Sequence, residues 1–225
     1  MASAGAEPIT IAGDHDIVVS GLLQKPAQAR AGYVLAHGAG AGMRHPFMAA
    51  VGAGLAERGT KRPDPPHLAY ATVRAAVAAA RQALPGLALI AGGKSFGGRM
   101  TSQAQARAPL PDVRGLAFLG FPLHPAGKPS RERAEHLFAV QIPMLFLQGT
   151  RDALAALDQI EPVCAALGAR ATLHLFADAD HSFHVPARSG RKDAQVLGDV
   201  LDALAGWAEH SLLNVPPPQA PAPAR

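Results

Sequence analysis

Short apolar runs alternate with longer amphipathic segments along most of this chain. Continuous apolar runs such as LALIAG at 87–92 and PMLFLQG at 143–149 are typical of buried strands, whereas apolar residues at three- and four-residue spacing indicate helices. The predicted strands are 8–12, 17–23, 31–38, 87–92, 114–121, 143–149 and 171–176, and the predicted helices are 47–59, 66–84, 98–107, 157–167 and 196–207. This alternation favours an α/β fold with a mostly parallel sheet and helices on both of its faces.

Length and composition are those of one globular domain followed by a tail. The 225 residues are 48% hydrophobic and 17% charged, which is enough for a substantial core. We expect the domain to occupy 1–212 and a disordered tail, rich in proline and alanine, to occupy 213–225. The one cysteine, Cys164, falls on the apolar face of a predicted helix and is expected in the core.

Charge and hydropathy narrow the classes of partner. The net charge of +4 is spread along the chain rather than clustered, so nucleic-acid binding is not indicated. The N-terminal residues lack the basic start and apolar run of a secretory signal, and no stretch reaches the roughly 20 apolar residues of a membrane span. We expect a cytoplasmic protein without nucleic-acid or membrane partners, and a homodimer stays open.

The stretch AGGKSFGGRM at 91–100 places one serine among glycines, between a predicted strand and a predicted helix. A phosphate-binding loop would need glycine at position 88, where the chain has alanine. The alternative is a G-x-S-x-G nucleophile elbow at 93–97. There the chain turns from strand to helix within one residue, which strains Ser95, and we expect the glycines to prevent a clash between the residues two before and two after it.

A serine hydroxyl needs a base and a carboxylate to become a good nucleophile, and both follow later in the chain. Asp152 comes directly after the predicted strand at 143–149, and His181 lies in the loop after the predicted strand at 171–176. Both positions are at the carboxyl ends of strands, where an open α/β sheet has its ligand site.

Two backbone N–H groups are expected to form an oxyanion hole near Ser95. The glycine-rich turn AHGAGAG at 36–42 follows a predicted buried strand and presents the N–H of Ala39, and the N–H of Phe96 supplies the other half.

Each of these side chains also has a purely structural interpretation. Asp152 could cap the following helix, and His181 could be an ordinary loop histidine. The same loop holds Asp178, Asp180 and His184, which leave open a metal site or a different acid for His181, although no second group of ligands stands out. His37 is expected to brace its loop, and Lys94 and Arg99 are expected to be structural or rim charges.

A set of motifs carries a family resemblance. They are HGAGAGMRHPFM, KRPDPP, GGKSFGGRM, GFPLHPAGKP, LFLQGTRDALA and DADHSFHVP. With them the chain resembles the α/β-hydrolase superfamily over nearly all of 5–210. More narrowly, it is similar to the dienelactone-hydrolase-like group, which also contains a non-enzymatic subunit of a nuclear histone-acetyltransferase complex. The resemblance implies an α/β-hydrolase fold, a Ser95–Asp152–His181 triad, and neither a metal nor another cofactor.

The chain departs from that family at 59–66. Hydrolases of this kind have a strand between the first large helix and the helix before the elbow strand, but here only TKRPDPP separates the two predicted helices. A strand of roughly 5–6 residues with its loops does not fit there. We therefore expect one usual central strand to be missing, so that two strands normally apart pair directly or a gap in the sheet is filled.

The resemblance implies hydrolysis of a small-molecule ester or thioester through an acyl-enzyme. About twenty residues between the predicted strand at 114–121 and Pro143 leave no room for a lid domain. The segment FPLHPAGKP at 121–129 is expected to form a pocket wall, with Phe121, Leu123 and His124 near the substrate. Acyl transfer or perhydrolysis on the same triad stays open, as does a catalytically inactive interaction module with this fold.

Overall fold

A computed structural model describes residues 6–13, 18–26, 28–38 and 66–213 of the chain. Its centre is a parallel sheet of five strands in the order β3-β4-β5-β6-β7, and a separate antiparallel hairpin is formed by β1 and β2. The strands are β1 (Glu7–Ala12), β2 (Val18–Leu23), β3 (Ala31–Ala36), β4 (Ala88–Lys94), β5 (Val113–Leu119), β6 (Met144–Gly149) and β7 (Ala171–Phe176). The helices are α1 (Pro66–Ala83), α2 (Phe96–Arg107), α3 (Leu157–Leu167) and α4 (Asp193–Ala208), with a 3₁₀ helix at Glu132–Ala139.

The two faces of the sheet are both apolar, because helices cover both of them. In β5, Leu116 and Phe118 pack on one face and Ala117 and Leu119 on the other. Such strands have no polar side, which explains why they stand out in the sequence as continuous apolar runs.

Three helices lie on the first face and α4 lies on the second. The first core contains Val77 of α1, Ala104 of α2 and Ile160 of α3, whereas the second contains Val196 and Val200 of α4. The predicted α/β fold with helices on both faces is therefore confirmed. The expected position of the lone cysteine is confirmed as well, since Cys164 is buried in the first core.

The predicted strands are all present, with ends shifted by a few residues. Helix α2 begins at Phe96 rather than at 98, and α4 begins at Asp193, before the first residue of its apolar stripe. The 3₁₀ helix at Glu132–Ala139 was not predicted, because only Ala134 and Leu137 of it are buried and two residues make no periodic pattern. The predicted helix at 47–59 and the tail from 214 onwards lie outside the described residues.

The strands that come before and after the expected missing strand along the chain pair directly. β3 pairs with β4 in parallel over six residues, from Ala31 opposite Ala88 to Ala36 opposite Gly93. Most of the segment at 59–66 lies outside the described residues. Among the described strands, β1 and β2 pair with each other and not with β3. The described strands therefore form two separate sheets, with the break between β2 and β3.

The parallel strands bring their carboxyl ends to one edge of the sheet, and the candidate side chains follow these ends. Ser95 comes directly after β4, Asp152 lies three residues beyond β6, and His181 lies five residues beyond β7. Between β5 and β6 the described residues 120–143 contain only the 3₁₀ helix, so this connection holds no lid domain.

Candidate active site

Ser95 occupies a sharp turn between strand and helix. β4 ends at Lys94 and α2 begins at Phe96, and Ser95 between them has φ 51° and ψ −118°. A residue with a side chain rarely adopts a positive φ, because its Cβ crowds the backbone. The strained elbow that the sequence predicts at Ser95 is therefore present, and it sets the hydroxyl at the amino end of α2.

Glycine is needed at the elbow mainly because the end of β3 lies so close to it. A Cβ at Gly97 would overlap the carbonyl oxygens of Ala36 and His37, and a Cβ at Gly93 would overlap that of Ala36. The close pair across the turn is Gly93 with Gly98, where an added Cβ would lie 2.8 Å from the Gly93 oxygen. The sequence predicts that positions 93 and 97 would clash with each other. The structure instead shows that Gly93 and Gly97 both make room for the end of the neighbouring strand β3.

Ser95, His181 and Asp152 form a continuous row of hydrogen bonds. His181 Nε2 lies 2.8 Å from Ser95 Oγ, and His181 Nδ1 lies 2.7 Å from Asp152 Oδ2. The two contacts are satisfied together when Nδ1–H donates to the carboxylate and Nε2 accepts from the hydroxyl. The Asp152 side chain has no exposed surface and that of His181 is 21% exposed. This arrangement can take the proton of an attacking hydroxyl and stabilise the imidazolium that results.

Asp152 is held by two further donors besides His181. The backbone N–H of Leu154 donates to Asp152 Oδ1 at 2.7 Å, and the Gln148 side-chain amide donates to Oδ2. Asp152 does not cap α3, whose N-cap position is Ala156.

Gln148 is a site residue that the sequence interpretation missed. It is fully buried in β6, and its Oε1 accepts the N–H of Phe121 at 2.9 Å while its amide reaches Asp152. The available signal was a glutamine at the end of the apolar run PMLFLQG, since a polar side chain buried in a strand needs specific partners.

Lys94 is buried under the site, so the expectation of a rim charge is wrong. Its ammonium donates to the backbone carbonyl of His181 and lies 5.4 Å from the centre of the Phe183 ring. Burial lowers the pKa of Lys94 to about 8, and the carboxylates of Asp152 and Asp180 oppose that shift. The structural role expected for Lys94 is present, but inside the protein.

The other acids of the histidine loop shape its backbone. Asp180 Oδ1 accepts the N–H groups of Ser182 and His184 at 2.7 and 3.0 Å. His184 pairs with Asp193 at the start of α4, at 2.8 Å. Across residues 6–38 and 66–213, gaps aside, no three His, Cys, Asp or Glu side chains are grouped closely enough to hold a metal ion.

One half of the expected oxyanion hole lies within the described residues. Phe96 is the first residue of α2, so its N–H has no acceptor inside the helix. Ala39 lies outside the described residues. The residue before it, Gly38, packs against the elbow, because a Cβ at Gly38 would lie 3.5 Å from Ser95 Cβ. His37 Nδ1 lies 3.0 Å from the Gly38 oxygen, which fits the bracing role expected of it.

The three residues expected in a pocket wall point into the protein. Phe121 and Leu123 are fully buried in the first core, and His124 is 2% exposed. His124 Nδ1 lies 2.9 Å from the Pro125 carbonyl, and its Nε2 accepts the N–H of Ala156 at 3.1 Å. We correct the prediction: these side chains support the loops under the site and offer no surface to a substrate.

Comparison with known proteins places this fold in a family. The model of the alpha/beta hydrolase domain matches residues 29–209. The chain belongs to this alpha/beta hydrolase family. The match spans the whole five-stranded sheet and all three side chains of the Ser–His–Asp row. No helix among the described residues of this hydrolase is long and apolar enough to cross a membrane.

Solved structures of other proteins share its fold. A dienelactone hydrolase from Anabaena variabilis is 20% identical with a TM-score of 0.70, over 92% of this chain and 98% of that chain. The esterase domain of a Rhodothermus marinus protein is 16% identical with a TM-score of 0.66, over 91% and 98%. A serine hydrolase without lid from Xanthomonas campestris is 19% identical with a TM-score of 0.63, over 90% and 94%. At these identities the likeness shows the fold alone, and the relation to a histone-acetyltransferase subunit stays a prediction.

Proposed function

We propose that this hydrolase cleaves a small ester or thioester with Ser95 as nucleophile, His181 as base and Asp152 as the acid that orients it. The observation that carries the proposal is the row of hydrogen bonds from Ser95 Oγ through both His181 ring nitrogens to the buried Asp152. Ser95 is also held in a strained turn with φ 51°, and backbone strain of this kind is concentrated at functional sites.

The first half of the reaction acylates Ser95. Its Oγ attacks the carbonyl carbon of the substrate while the hydroxyl proton passes to His181 Nε2, and Asp152 stabilises the imidazolium. The carbonyl oxygen, on which negative charge develops, accepts hydrogen bonds from the N–H groups of Phe96 and Ala39, the latter outside the described residues. The amino end of α2 adds a favourable dipole at that point. His181 then protonates the leaving alcohol or thiol, and the C–O or C–S bond breaks.

The second half returns the free enzyme. A water molecule takes the place of the leaving group, gives a proton to His181 and attacks the acyl carbon. The tetrahedral intermediate collapses, Ser95 Oγ regains its proton from His181, and the carboxylic acid leaves.

A small substrate is favoured by the connection between β5 and β6. Residues 120–143 contain a 3₁₀ helix whose buried side chains pack in the first core, and no separate domain covers the site from this connection. Long acyl chains need an extended apolar cover to leave water, which residues 120–143 do not supply.

The test is a ladder of p-nitrophenyl esters from acetate to decanoate, with acetyl and butyryl thioesters beside it, on the wild type and on Ser95→Ala. The expected result is hydrolysis with the highest kcat/KM at two to four acyl carbons and about a 10³-fold or greater loss in the variant. Folded wild-type protein that hydrolyses every ester and thioester no faster than Ser95→Ala would overturn the proposal. An inactive interaction module would then be the better account.

A further inference from the structure

The ammonium of Lys94 connects the two halves of the proposed active site. Lys94 precedes the nucleophile in the elbow, and its Nζ donates to the backbone carbonyl of His181, 87 residues away in sequence. Gly120, with φ +69°, provides the room: a Cβ there would lie 2.8 Å from Lys94 Nζ and 3.1 Å from the His181 oxygen. The lysine thus reaches the histidine loop through a passage that a larger residue would close.

Besides the contact of the His181 ring with Ser95, two bonds of the histidine loop lead towards the loop that carries Asp152. Arg151 N donates to the Ala179 oxygen at 2.8 Å, and Asp178 N donates to Thr150 Oγ1 at 2.9 Å. Both join the loop after β7 to the loop after β6. They fix His181 relative to its carboxylate but leave its distance from the elbow to other contacts.

We propose that Lys94 is a positioning residue, whose ammonium holds the His181 backbone so that Nε2 stays within hydrogen-bond distance of Ser95 Oγ. The inference rests on the proposed function, because it gives His181 a partner that matters during hydrolysis. A donor with a full charge makes a stronger hydrogen bond to a carbonyl than a neutral donor does. An error of about 1 Å between reacting groups lowers a rate by about 100-fold, so one fixed contact can matter greatly.

The charges around Lys94 make its contribution depend on pH. The titratable groups that face its ammonium are Asp152 after β6, Asp180 after β7 and the ring of His181 itself. Burial lowers the pKa of Lys94 to about 8, so the ammonium loses its proton as the pH rises through about 8. The neutral amine holds the carbonyl more weakly, and we expect kcat of the wild type to fall on that alkaline side.

The experiment compares Lys94→Met with wild type and with Lys128→Met, a control at an exposed lysine. Methionine keeps most of the length of the side chain and removes its donors. Two readouts are used: steady-state hydrolysis of p-nitrophenyl acetate, and the rate at which a fluorophosphonate labels Ser95. Lys94→Met is expected to lower kcat and the labelling rate by about 10- to 100-fold, with KM within about twofold of the wild type. Labelling of Ser95 still goes to completion, and kcat of this variant does not fall near pH 8. Lys128→Met is expected to match the wild type.

Chemical rescue separates positioning from a general structural role. Lys94→Ala leaves space for a small cation, so n-propylammonium is expected to restore a saturable part of the labelling rate, whereas n-propanol is not. Wild-type rates and pH profile in Lys94→Met would overturn the inference, as would unfolded variants or a loss that no amine restores. A wild type that neither hydrolyses esters nor reacts with the probe would overturn the proposed function itself, and the two failures are therefore distinguishable.

Discussion

Asp152 illustrates, at the scale of single residues, how a buried charge is made tolerable. Its carboxylate accepts hydrogen bonds from His181, from the Leu154 backbone and from the Gln148 amide. Burying a carboxylate without such partners costs several kcal/mol, and the surrounding donors offset that cost. These partners also fix the direction in which Asp152 meets the imidazole.

Asp152→Asn is expected to lower kcat by about 10³- to 10⁴-fold while the protein stays folded. The amide keeps the size of the carboxylate but cannot hold the histidine in the tautomer that accepts from Ser95. The measurement is steady-state ester hydrolysis, with Asp158→Asn, an exposed position in the first turn of α3, as the control. A kcat within tenfold of wild type would contradict the assigned role.

Gln148→Met tests the support beneath that carboxylate. Methionine fills the space but leaves the Phe121 N–H without its acceptor and Asp152 without one donor. The free energy of unfolding is expected to fall by about 1–3 kcal/mol, because a buried polar group left unpaired costs that much. Urea unfolding measures it, and Gln141→Met at an exposed position is the control. Equal stability of wild type and Gln148→Met would show that the bridge contributes nothing.

At the scale of elements, the elbow depends on how closely α2 approaches β3. Gly97→Ala would add a Cβ that overlaps two carbonyl oxygens at the end of β3 and lies 2.7 Å from the Ala36 carbonyl carbon. We expect a loss of at least about 3 kcal/mol in the free energy of unfolding and loss of probe labelling at Ser95.

The matched control is the same substitution in open space. A Cβ at Gly198 of α4 would have no atom within 4 Å, so Gly198→Ala is expected to raise the free energy of unfolding by about 0.5–1 kcal/mol through helix propensity. Native stability and normal labelling in Gly97→Ala would contradict the account of the elbow.

The 3₁₀ helix is tied to α2 by a neutral histidine. His136 Nε2 lies 2.7 Å from Ser102 Oγ, and burial, with a smaller effect from the Arg99 guanidinium, lowers the pKa of His136 to about 4. An unfolded histidine has a pKa of about 6.5. Between these values the unfolded chain binds more protons than the folded one, so this group makes stability fall as the pH drops from about 6.5 towards 4.

We expect His136 to account for about 1 kcal/mol of the stability lost between pH 7 and pH 5, a value reduced for its partial exposure. Urea unfolding at both pH values measures it in the wild type, in His136→Gln and in His174→Gln, an exposed control on β7. His136→Gln should lose less stability on acidification than the other two proteins. Equal losses of stability on acidification in all three proteins would contradict the neutral form of His136.

At the scale of the whole molecule, the fold was predictable where burial makes the sequence simple. β5 and β6 lie between two helix layers and are apolar on both faces, and the stripe of α4 faces a single layer. The 3₁₀ helix and the first turn of α4 were not predictable, because side-chain contacts rather than a period define them. Asp193, for example, begins α4 while its carboxylate accepts from His184 and from the Val185 backbone.

The candidate site was predictable to the extent that strand ends determine it. Ser95, Asp152 and His181 follow strands whose carboxyl ends meet, so their order along the chain indicated their proximity. Which way a loop side chain turns is a property of packing, and for that reason the sequence did not reveal that Phe121, expected in a pocket wall, is fully buried. The role of Lys94 depends on a contact with a residue far along the chain, which a motif does not contain.

The central claim is that Ser95 is an activated nucleophile, and intact-mass analysis after treatment with a fluorophosphonate tests it most directly. The reagent needs an assembled base and oxyanion hole but no knowledge of the substrate. The account predicts one adduct per chain on the wild type, located at Ser95, and none on Ser95→Ala. A folded wild type that gains no adduct, or an adduct that persists in Ser95→Ala, would contradict it.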